Sequence, residues 1–234
     1  MKKKIMAAVM TAAMVAGLAS TSTVFAAEDT LTVGFSQVGA ESDWRTANTE
    51  SMKSTFSEEN GYELIFDDAQ QKQENQLTAI RNFIQQEVDY ILLAPVTETG
   101  WDTVLQEAKD AGIPVIIVDR MVDVSDDSLY TSWIGTDALL EGRKAAEWLN
   151  AYATAKEIKP EDLHIVDIQG TIGSTAQIGR TQGLEEGVEK YGWDLLEQQS
   201  GEFTQAKGQE VMESMLKKYD NINVVYCEND NEAF

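Results

Sequence analysis

The sequence predicts an α/β protein in which strands and helices alternate and the strands form parallel sheets. From residue 31 onward, short β-branched or aromatic runs alternate with longer amphipathic runs, which is typical of βαβ units. Gly112 and Gly192 each follow a helical run and precede a strand, where a left-handed residue ends a helix at no steric cost. The apolar runs VIIVD and YILLAP indicate strands that helices cover on both faces.

The positions of the helices and strands are predicted from the spacing of the apolar residues. In the second helical run Leu77, Ile80, Phe83 and Ile84 recur at three- and four-residue steps, which gives the helix one buried face. The predicted strands are Leu31–Gln37, Tyr62–Ala69, Tyr90–Ala94, Val115–Asp119, Trp133–Gly135, Leu163–Gln169, Trp193–Ser200 and Asn223–Glu228. The predicted helices are Trp44–Asn60, Lys72–Gln86, Trp101–Ala111, Ala138–Ala151, Ala176–Lys190 and Gln205–Lys217.

The alternation is interrupted once, by the acidic and polar stretch between Met121 and Thr136. No helical period replaces it, so a crossover between two lobes is predicted there. The expected division is a first lobe over residues 27–133 and a second lobe over residues 137–234.

The first 26 residues are predicted to be a secretory signal peptide. Lys2 to Lys4 form a basic start, Ile5 to Ala19 are mostly apolar, and Val24-Phe25-Ala26 suits a signal peptidase. Threonines and serines interrupt the apolar run before it could span a membrane as an anchor. Cleavage after Ala26 would remove three lysines and no acidic residue, changing the net charge from −22 to −25. We therefore expect a protein of the periplasm or extracytoplasmic space.

Composition and charge exclude several classes of protein. With 43% apolar and 25% charged residues the chain is ordinary globular protein, and 40 Asp+Glu against 18 Lys+Arg disfavour nucleic acid as a partner. The single Cys227 cannot form an internal disulfide. Together with the single His164 it cannot build a zinc site of the usual nitrogen and sulfur type, so neither a metal nor a cofactor is expected.

Candidate binding residues stand where strands end, because ligands of open parallel sheets collect at the carboxyl ends of the strands. Guanidinium groups donate paired hydrogen bonds, carboxylates and amides accept them, and an indole offers a flat apolar face, which together suit a polyhydroxylated ring. The alternative is that these arginines form surface ion pairs or cap helix ends. The candidates are Glu41, Trp44 and Arg45 after the first strand, Asp119 and Arg120 at the fourth, Arg180 after the sixth and Asn229 after the eighth.

The sequence does not match the motifs of three more specific functions: phosphate binding, calcium binding and glycoside hydrolysis. The glycine-rich turn at 169–175 matches no phosphate-binding pattern, and Ser174 or Thr175 is expected to cap the next helix instead. The acidic run at 228–232 has no turn glycine where a calcium loop needs one. Glu41 and Asp119 could form a glycosidase pair, but the neighbouring Arg45 and Arg120 would keep both ionised, whereas a general acid must hold a proton.

Five segments together resemble one family: LTVGFSQVGAESDWR (31–45), DAQQKQENQLTAIRNFI (68–84), ILLAPVTETGW (91–101), AGIPVIIVDR (111–120) and SGEFTQAKGQEVMESML (200–216). The chain resembles periplasmic sugar-binding proteins of the ribose and galactose type. The resemblance implies a type I periplasmic binding protein with two Rossmann-like lobes hinged around a sugar. It also implies a monomer without catalytic activity that delivers a monosaccharide, galactofuranose or a related furanose, to the permease of an ABC transporter.

Carried over by position, the resemblance assigns sugar binding to the same strand-end residues, Trp44 being a stacking face. The family continues beyond Phe234, so the second lobe is expected to be incomplete and the chain as given to bind sugar weakly or not at all. Two alternatives remain, a secreted glycoside hydrolase or sugar-modifying enzyme and a transcription regulator on the same fold. The signal peptide and the acidic charge oppose the regulator, which would need a basic DNA-binding module.

Overall fold

The computed structural model describes residues 30–234, so the predicted signal peptide lies outside the described residues. Eight strands and seven helices alternate along this part of the chain. The strands are β1 Leu31–Gln37, β2 Tyr62–Asp68, β3 Tyr90–Leu93, β4 Val115–Asp119, β5 Ser132–Gly135, β6 His164–Gln169, β7 Asp194–Ser200 and β8 Val224–Cys227. The helices are α1 Asp43–Thr55, α2 Gln73–Gln85, α3 Asp102–Asp110, α4 Ala138–Ala155, α5 Thr175–Tyr191, α6 Gln205–Lys218 and α7 Asp230–Ala233.

The strands form two separate parallel sheets, one in each lobe. The first sheet has the order β2-β1-β3-β4-β5, and the second has the order β7-β6-β8. All their pairings are parallel. The predicted α/β class with parallel sheets in two lobes is therefore confirmed.

Helices cover both faces of each sheet, as the apolar strands predicted. In β3 the side chains of Ile91 and Leu93 pack among residues of α2 and α3, whereas Leu92 packs on the opposite face with Met52 and Phe56. In β6, likewise, Ile165 packs toward α4 and α5, and Ile168 packs toward α6. Because parallel strands buried on both faces need apolar residues at every position, the alternation of polar and apolar residues is lost.

Helices α4 and α5 approach each other closely through glycines. A Cβ atom built on Gly183 would lie 2.5 Å from the backbone nitrogen of Arg143, and one built on Gly179 would lie 2.6 Å from that of Leu139. Only residues without a side chain permit this spacing, so the glycines of α5 set the distance between the two helices.

Several predicted details are confirmed and two are corrected. Gly112 and Gly192 have φ of +76° and +78°, as expected for residues that end helices. The predicted helix to Asn60 is wrong, because α1 ends at Thr55 and a short 3-10 turn follows at Glu58–Asn60. No helix was predicted after Lys217, but α7 spans Asp230–Ala233, and the side chain of Asn229 caps it.

Backbone contacts join the two lobes beside their crossover. The Glu98 amide donates to the carbonyl oxygen of Gly173 at 2.8 Å, and the Met121 amide donates to Thr175 Oγ1 at 2.9 Å. As predicted, Ser174 caps the following helix α5, its hydroxyl accepting from the Gln177 amide. The glycine-rich turn thus contacts the opposite lobe through the Gly173 carbonyl oxygen and the Thr175 hydroxyl. Within residues 30–234 no helix is long and apolar enough to cross a membrane.

Candidate functional site

A cleft of about 580 Å³ opens between the lobes at the carboxyl ends of the strands. Its volume lies within the range of small-molecule sites. The structure brings all seven candidates named from the sequence to the wall of this one cleft: Glu41, Trp44, Arg45, Asp119, Arg120, Arg180 and Asn229. The first five come from the first lobe and the last two from the second.

An ion-pair network joins the first-lobe residues. Arg45 donates through Nε to Glu41 Oε1 at 2.9 Å and through Nη2 to Asp119 Oδ2 at 2.8 Å. Arg120 Nη2 lies 3.7 Å from the same oxygen of Glu41. Helix α1 fixes this geometry, because its Ser42 cap accepts from the Arg45 amide and sets the helix start beside the strand ends. The two arginines and two carboxylates therefore balance in charge.

Arg120 is a deeply buried charge of the cleft. Its residue is only 3% exposed, and Nη1 donates to the carbonyl oxygen of Val96 at 3.0 Å. Burial, with the nearby positive charge of Arg45, lowers the pKa of Arg120 to about 10. The guanidinium therefore stays charged at neutral pH and remains a hydrogen-bond donor.

Two polar atoms of this network have no partner among the described residues. They are Glu41 Oε2 and Arg45 Nη1, an acceptor and a donor, and both are buried. Leaving a buried polar group unsatisfied costs about 1–3 kcal/mol, more for a charged one, so such groups call for a partner. A hydroxyl group, which both donates and accepts, matches the pair.

Asp119 occupies a left-handed backbone position at the end of β4, with φ of +65°. Asp tolerates this region better than most residues. The neighbouring strand β5 carries Gly135 beside Asp119, and a Cβ atom at Gly135 would clash with the Asp119 carbonyl oxygen. The same oxygen accepts a hydrogen bond from Trp133 Nε1 at 3.0 Å. The local backbone thus turns the Asp119 carboxylate toward Arg45.

On the second lobe the predicted residues are already engaged. Arg180 donates through Nε and Nη2 to Glu141 Oε2 at 3.2 and 2.9 Å. Asn229 caps α7, its Oδ1 accepting from the Glu232 amide, while its Nδ2 donates to the carbonyl oxygen of Phe203. Both side chains are therefore held in fixed orientations at the cleft.

Trp44 lies at the rim rather than in the depth of the cleft. It is 55% exposed, and the guanidinium carbon of Arg45 lies 4.8 Å from its ring centroid. One face of the indole is thus covered by Arg45, which leaves the rest of the ring facing the cleft opening and solvent.

Phe203 and Glu141 also line the cleft, and sequence reasoning missed both. The Arg120 guanidinium stacks on the Phe203 ring, 5.2 Å from the centroid, so the contact crosses from one lobe to the other. Phe203 stands in the irregular turn after β7, where no period marks a functional residue. Glu141 lies in the first turn of α4, far in sequence from its partner Arg180.

A buried polar layer supports the second-lobe wall. Glu228 accepts from Thr181 Oγ1 at 2.6 Å and from the Gly170 amide at 2.7 Å. Burial raises the pKa of Glu228 to about 8 despite these hydrogen bonds. Both carboxylate oxygens accept hydrogen bonds from the protein, so Glu228, which also lines the cleft, is held in its wall. Within residues 30–234 no group of three or more acidic, histidine or cysteine side chains is arranged to hold a metal ion.

The sequence profile of one family, described as periplasmic binding protein domain, matches residues 33–234. The chain belongs to this family. It is 46% identical over 205 residues to the galactofuranose-binding protein YtfQ of Escherichia coli, covering 86% of this chain and 63% of the relative. A solved structure from Mycobacterium smegmatis in complex with β-D-fucofuranose is 48% identical with a TM-score of 0.82, covering 87% of this chain and 66% of that one.

Another solved relative is the periplasmic component of the arabinose ABC transporter from Shewanella sp. ANA-3, bound to α- and β-L-arabinofuranose. It is 47% identical with a TM-score of 0.79, covering 86% of this chain and 66% of that one. The chain therefore spans about two thirds of the length of these relatives. The resemblance to periplasmic sugar-binding proteins and the two-lobed fold are confirmed by these comparisons.

Proposed function

We propose that the protein is an extracytoplasmic receptor that closes its two lobes around one monosaccharide in the furanose form. The observation that carries this proposal is the cleft itself. Glu41 and Arg45 present an unpartnered acceptor and donor from one lobe, and Arg180 faces them from the other. Such a set suits neighbouring ring hydroxyls, each of which donates and accepts a hydrogen bond.

The furanose form is supported by the relatives, which are named for galactofuranose or bound to fucofuranose and arabinofuranose. The arginines of the cleft do not favour an anionic ligand. Arg45, Arg120 and Arg180 each form an ion pair with a carboxylate, so their positive charges toward a phosphate or a uronate are offset. A neutral ligand is therefore favoured. In this proposal Glu41, Arg45, Asp119, Arg120, Arg180 and Asn229 bind hydroxyls, and Trp44 and Phe203 supply apolar faces.

Membership of the family supports a physiological setting for this receptor. We propose a secreted monomer that works in the periplasm or its equivalent, with lobes over residues 27–133 and 137–234, and that delivers its sugar to the permease of an ABC transporter. Hydrolysis is disfavoured because Glu41 and Asp119 both pair with Arg45, while Glu228, whose pKa is raised, has both oxygens occupied by Thr181 and Gly170. A general acid needs a proton and access to the leaving oxygen.

The test is titration calorimetry with arabinose, galactose, fucose and ribose on a chain extended to the length of its relatives, combined with carbon-13 NMR of sugars labelled at the anomeric carbon. We expect one sugar to bind and its bound anomeric signal to be that of a furanose. Arg81→Ala serves as the matched control, because Arg81 forms an exposed ion pair with Glu107 on α3, away from the cleft. A bound pyranose would overturn the ring form, and no binding of any sugar would overturn the receptor function.

A further inference from the structure

Phe203 has a backbone that ordinary residues avoid. Its φ is +61°, and the preceding Glu202 has φ of +58°, so two consecutive non-glycine residues are left-handed. Such positions are strained in non-glycine residues and persist only where the surroundings hold them. Phe203 is also buried, with its ring against Gly170, where any Cβ would clash with it. The conformation therefore needs specific support.

Two residues of the α7 segment supply that support. The Phe203 amide donates to Glu232 Oε1 at 2.9 Å, and the Phe203 carbonyl oxygen accepts from Asn229 Nδ2 at 3.1 Å. Asn229 and Glu232 are themselves joined, because Asn229 Oδ1 accepts from the Glu232 amide at 3.0 Å. The two side chains thus bind both backbone polar groups of Phe203.

The surroundings of Glu232 are shaped to admit its side chain. A Cβ built on Gly201 would lie 2.7 Å from Glu232 Oε1, and one built on Gly208 would lie 3.0 Å from its Cα. Glu232 is 6% exposed, although a carboxylate is normally a surface group. Its other oxygen, Oε2, has no partner among the described residues. A buried carboxylate with so few donors is costly, which argues for a role beyond filling space.

We propose that Glu232 is a positioning residue for ligand binding: it holds Phe203 in its left-handed conformation, and the Phe203 ring in turn sets the Arg120 guanidinium across the cleft. This inference rests on the proposed sugar-binding function. The contacts connect Glu232 on α7 to Phe203 in the turn after β7. The Phe203 ring then contacts Arg120 of the opposite lobe, with 5.2 Å between its centroid and the guanidinium carbon. Glu232 itself does not contact the sugar in this scheme.

The first test uses affinity for the furanose identified above. Glu232→Leu removes the acceptor but keeps the volume, and we expect binding at least fivefold weaker. Glu232→Gln keeps an oxygen acceptor for the Phe203 amide and should bind within twofold of wild type. In a Phe203→Leu background, Glu232→Leu should cause no further loss, because its effect passes through the ring. Unchanged affinity of Glu232→Leu, or losses that add in the double variant, would overturn the proposal.

The second test needs no sugar. Burial raises the pKa of Glu232 to about 7, so the Phe203 amide proton should shift with pH around that value in nitrogen-15 NMR spectra. The other titratable or charged groups facing Glu232 are Asp167 on β6, Arg180 on α5, Cys227 on β8 and Glu228 directly after β8. We expect the Phe203 titration to vanish in Glu232→Gln and to persist in Asp167→Asn.

The two tests separate the two proposals. If the wild-type protein binds no furanose, the receptor function is overturned, and the amide titration alone decides the role of Glu232. If Glu232→Leu does not fold, the same titration in wild type and in Glu232→Gln decides it. A Phe203 amide that does not respond to the carboxyl of Glu232 would overturn the positioning role in either case.

Discussion

Arg45 Nη2 lies 2.8 Å from Asp119 Oδ2, and this ion pair joins the first turn of α1 to the carboxyl end of β4. Because 74 residues separate the partners in sequence, only the strand order of the first sheet brings them together. The pair is partly buried, so it is screened less by solvent than a surface ion pair. It fixes the orientation of the arginine whose remaining nitrogen, Nη1, is proposed to face the ligand.

Replacing Asp119 should reveal how much the left-handed backbone matters. Asn tolerates φ of +65° and keeps an oxygen acceptor, whereas a β-branched Val does neither. We expect Asp119→Val to be less stable than Asp119→Asn by about 1–3 kcal/mol in urea unfolding. The matched pair at Glu63, an exposed residue of β2 outside the left-handed region, should show no such penalty for Val. Equal stabilities of the two Asp119 variants would contradict the strain argument.

Removing the buried guanidinium of Arg120 from the cleft should weaken sugar binding without unfolding the protein. A hydrogen bond from a buried charged group is worth about 1.5–3 kcal/mol, so Arg120→Ala should bind its sugar at least about tenfold more weakly. Calorimetric titration measures the affinity, and far-UV circular dichroism checks the fold. Arg81→Ala is again the control and should bind as wild type does. Unchanged affinity of Arg120→Ala would mean that the ligand lies elsewhere.

The sequence predicted the sheets and the residues at their ends better than the partners of those residues. Strands such as Val115–Asp119 were found because both-face burial demands a continuous apolar run. The ion pair of Arg180 with Glu141 could not be predicted from the sequence, because it depends on how closely α4 approaches α5. That approach is set by glycines such as Gly183, whose role becomes visible only when the neighbouring backbone is known.

The contact between Arg120 and Phe203 could not be predicted from the sequence either. Phe203 lies in a turn without periodicity, and its partner belongs to the opposite lobe, so neither local pattern nor spacing connects them. The left-handed φ of Asp119 could not be predicted from the sequence, because Asp is also common at positions with negative φ. Contacts between lobes and unusual backbone angles are thus what the sequence alone could not supply here.

Glycoside turnover should be absent. Glu41 and Asp119 both accept hydrogen bonds from Arg45, and Glu228 accepts hydrogen bonds from Thr181 and Gly170. We expect no release of chromophore from a nitrophenyl furanoside above the rate in buffer. The informative comparison is with Glu41→Gln and Glu228→Gln. Turnover by the wild-type protein that either substitution abolished would replace the receptor assignment with a hydrolase.

The stability of the second lobe should depend on pH in a direction set by its buried acids. Burial raises the pKa of Asp167 to about 7, that of Glu228 to about 8 and that of Glu232 to about 7. In the unfolded chain such groups have pKa values of about 4. Between these limits the folded state holds protons that the unfolded state has released. The stability contributed by these groups is therefore complete below about pH 4 and is lost as pH rises through 7 to 8.

We expect the free energy of unfolding to fall as pH rises from 5 to 8 and to level off above that range. One carboxyl group with these pKa values contributes a slope of about 1.4 kcal/mol per pH unit between pH 5 and 7. Asp167→Asn should remove most of one such contribution and flatten the profile measured by urea unfolding. Asp102→Asn is the control: hydrogen bonds from Ser125 lower the pKa of Asp102, so its titration lies below this range. A profile that stayed equally steep in Asp167→Asn would show that Asp167 ionises normally in the folded protein.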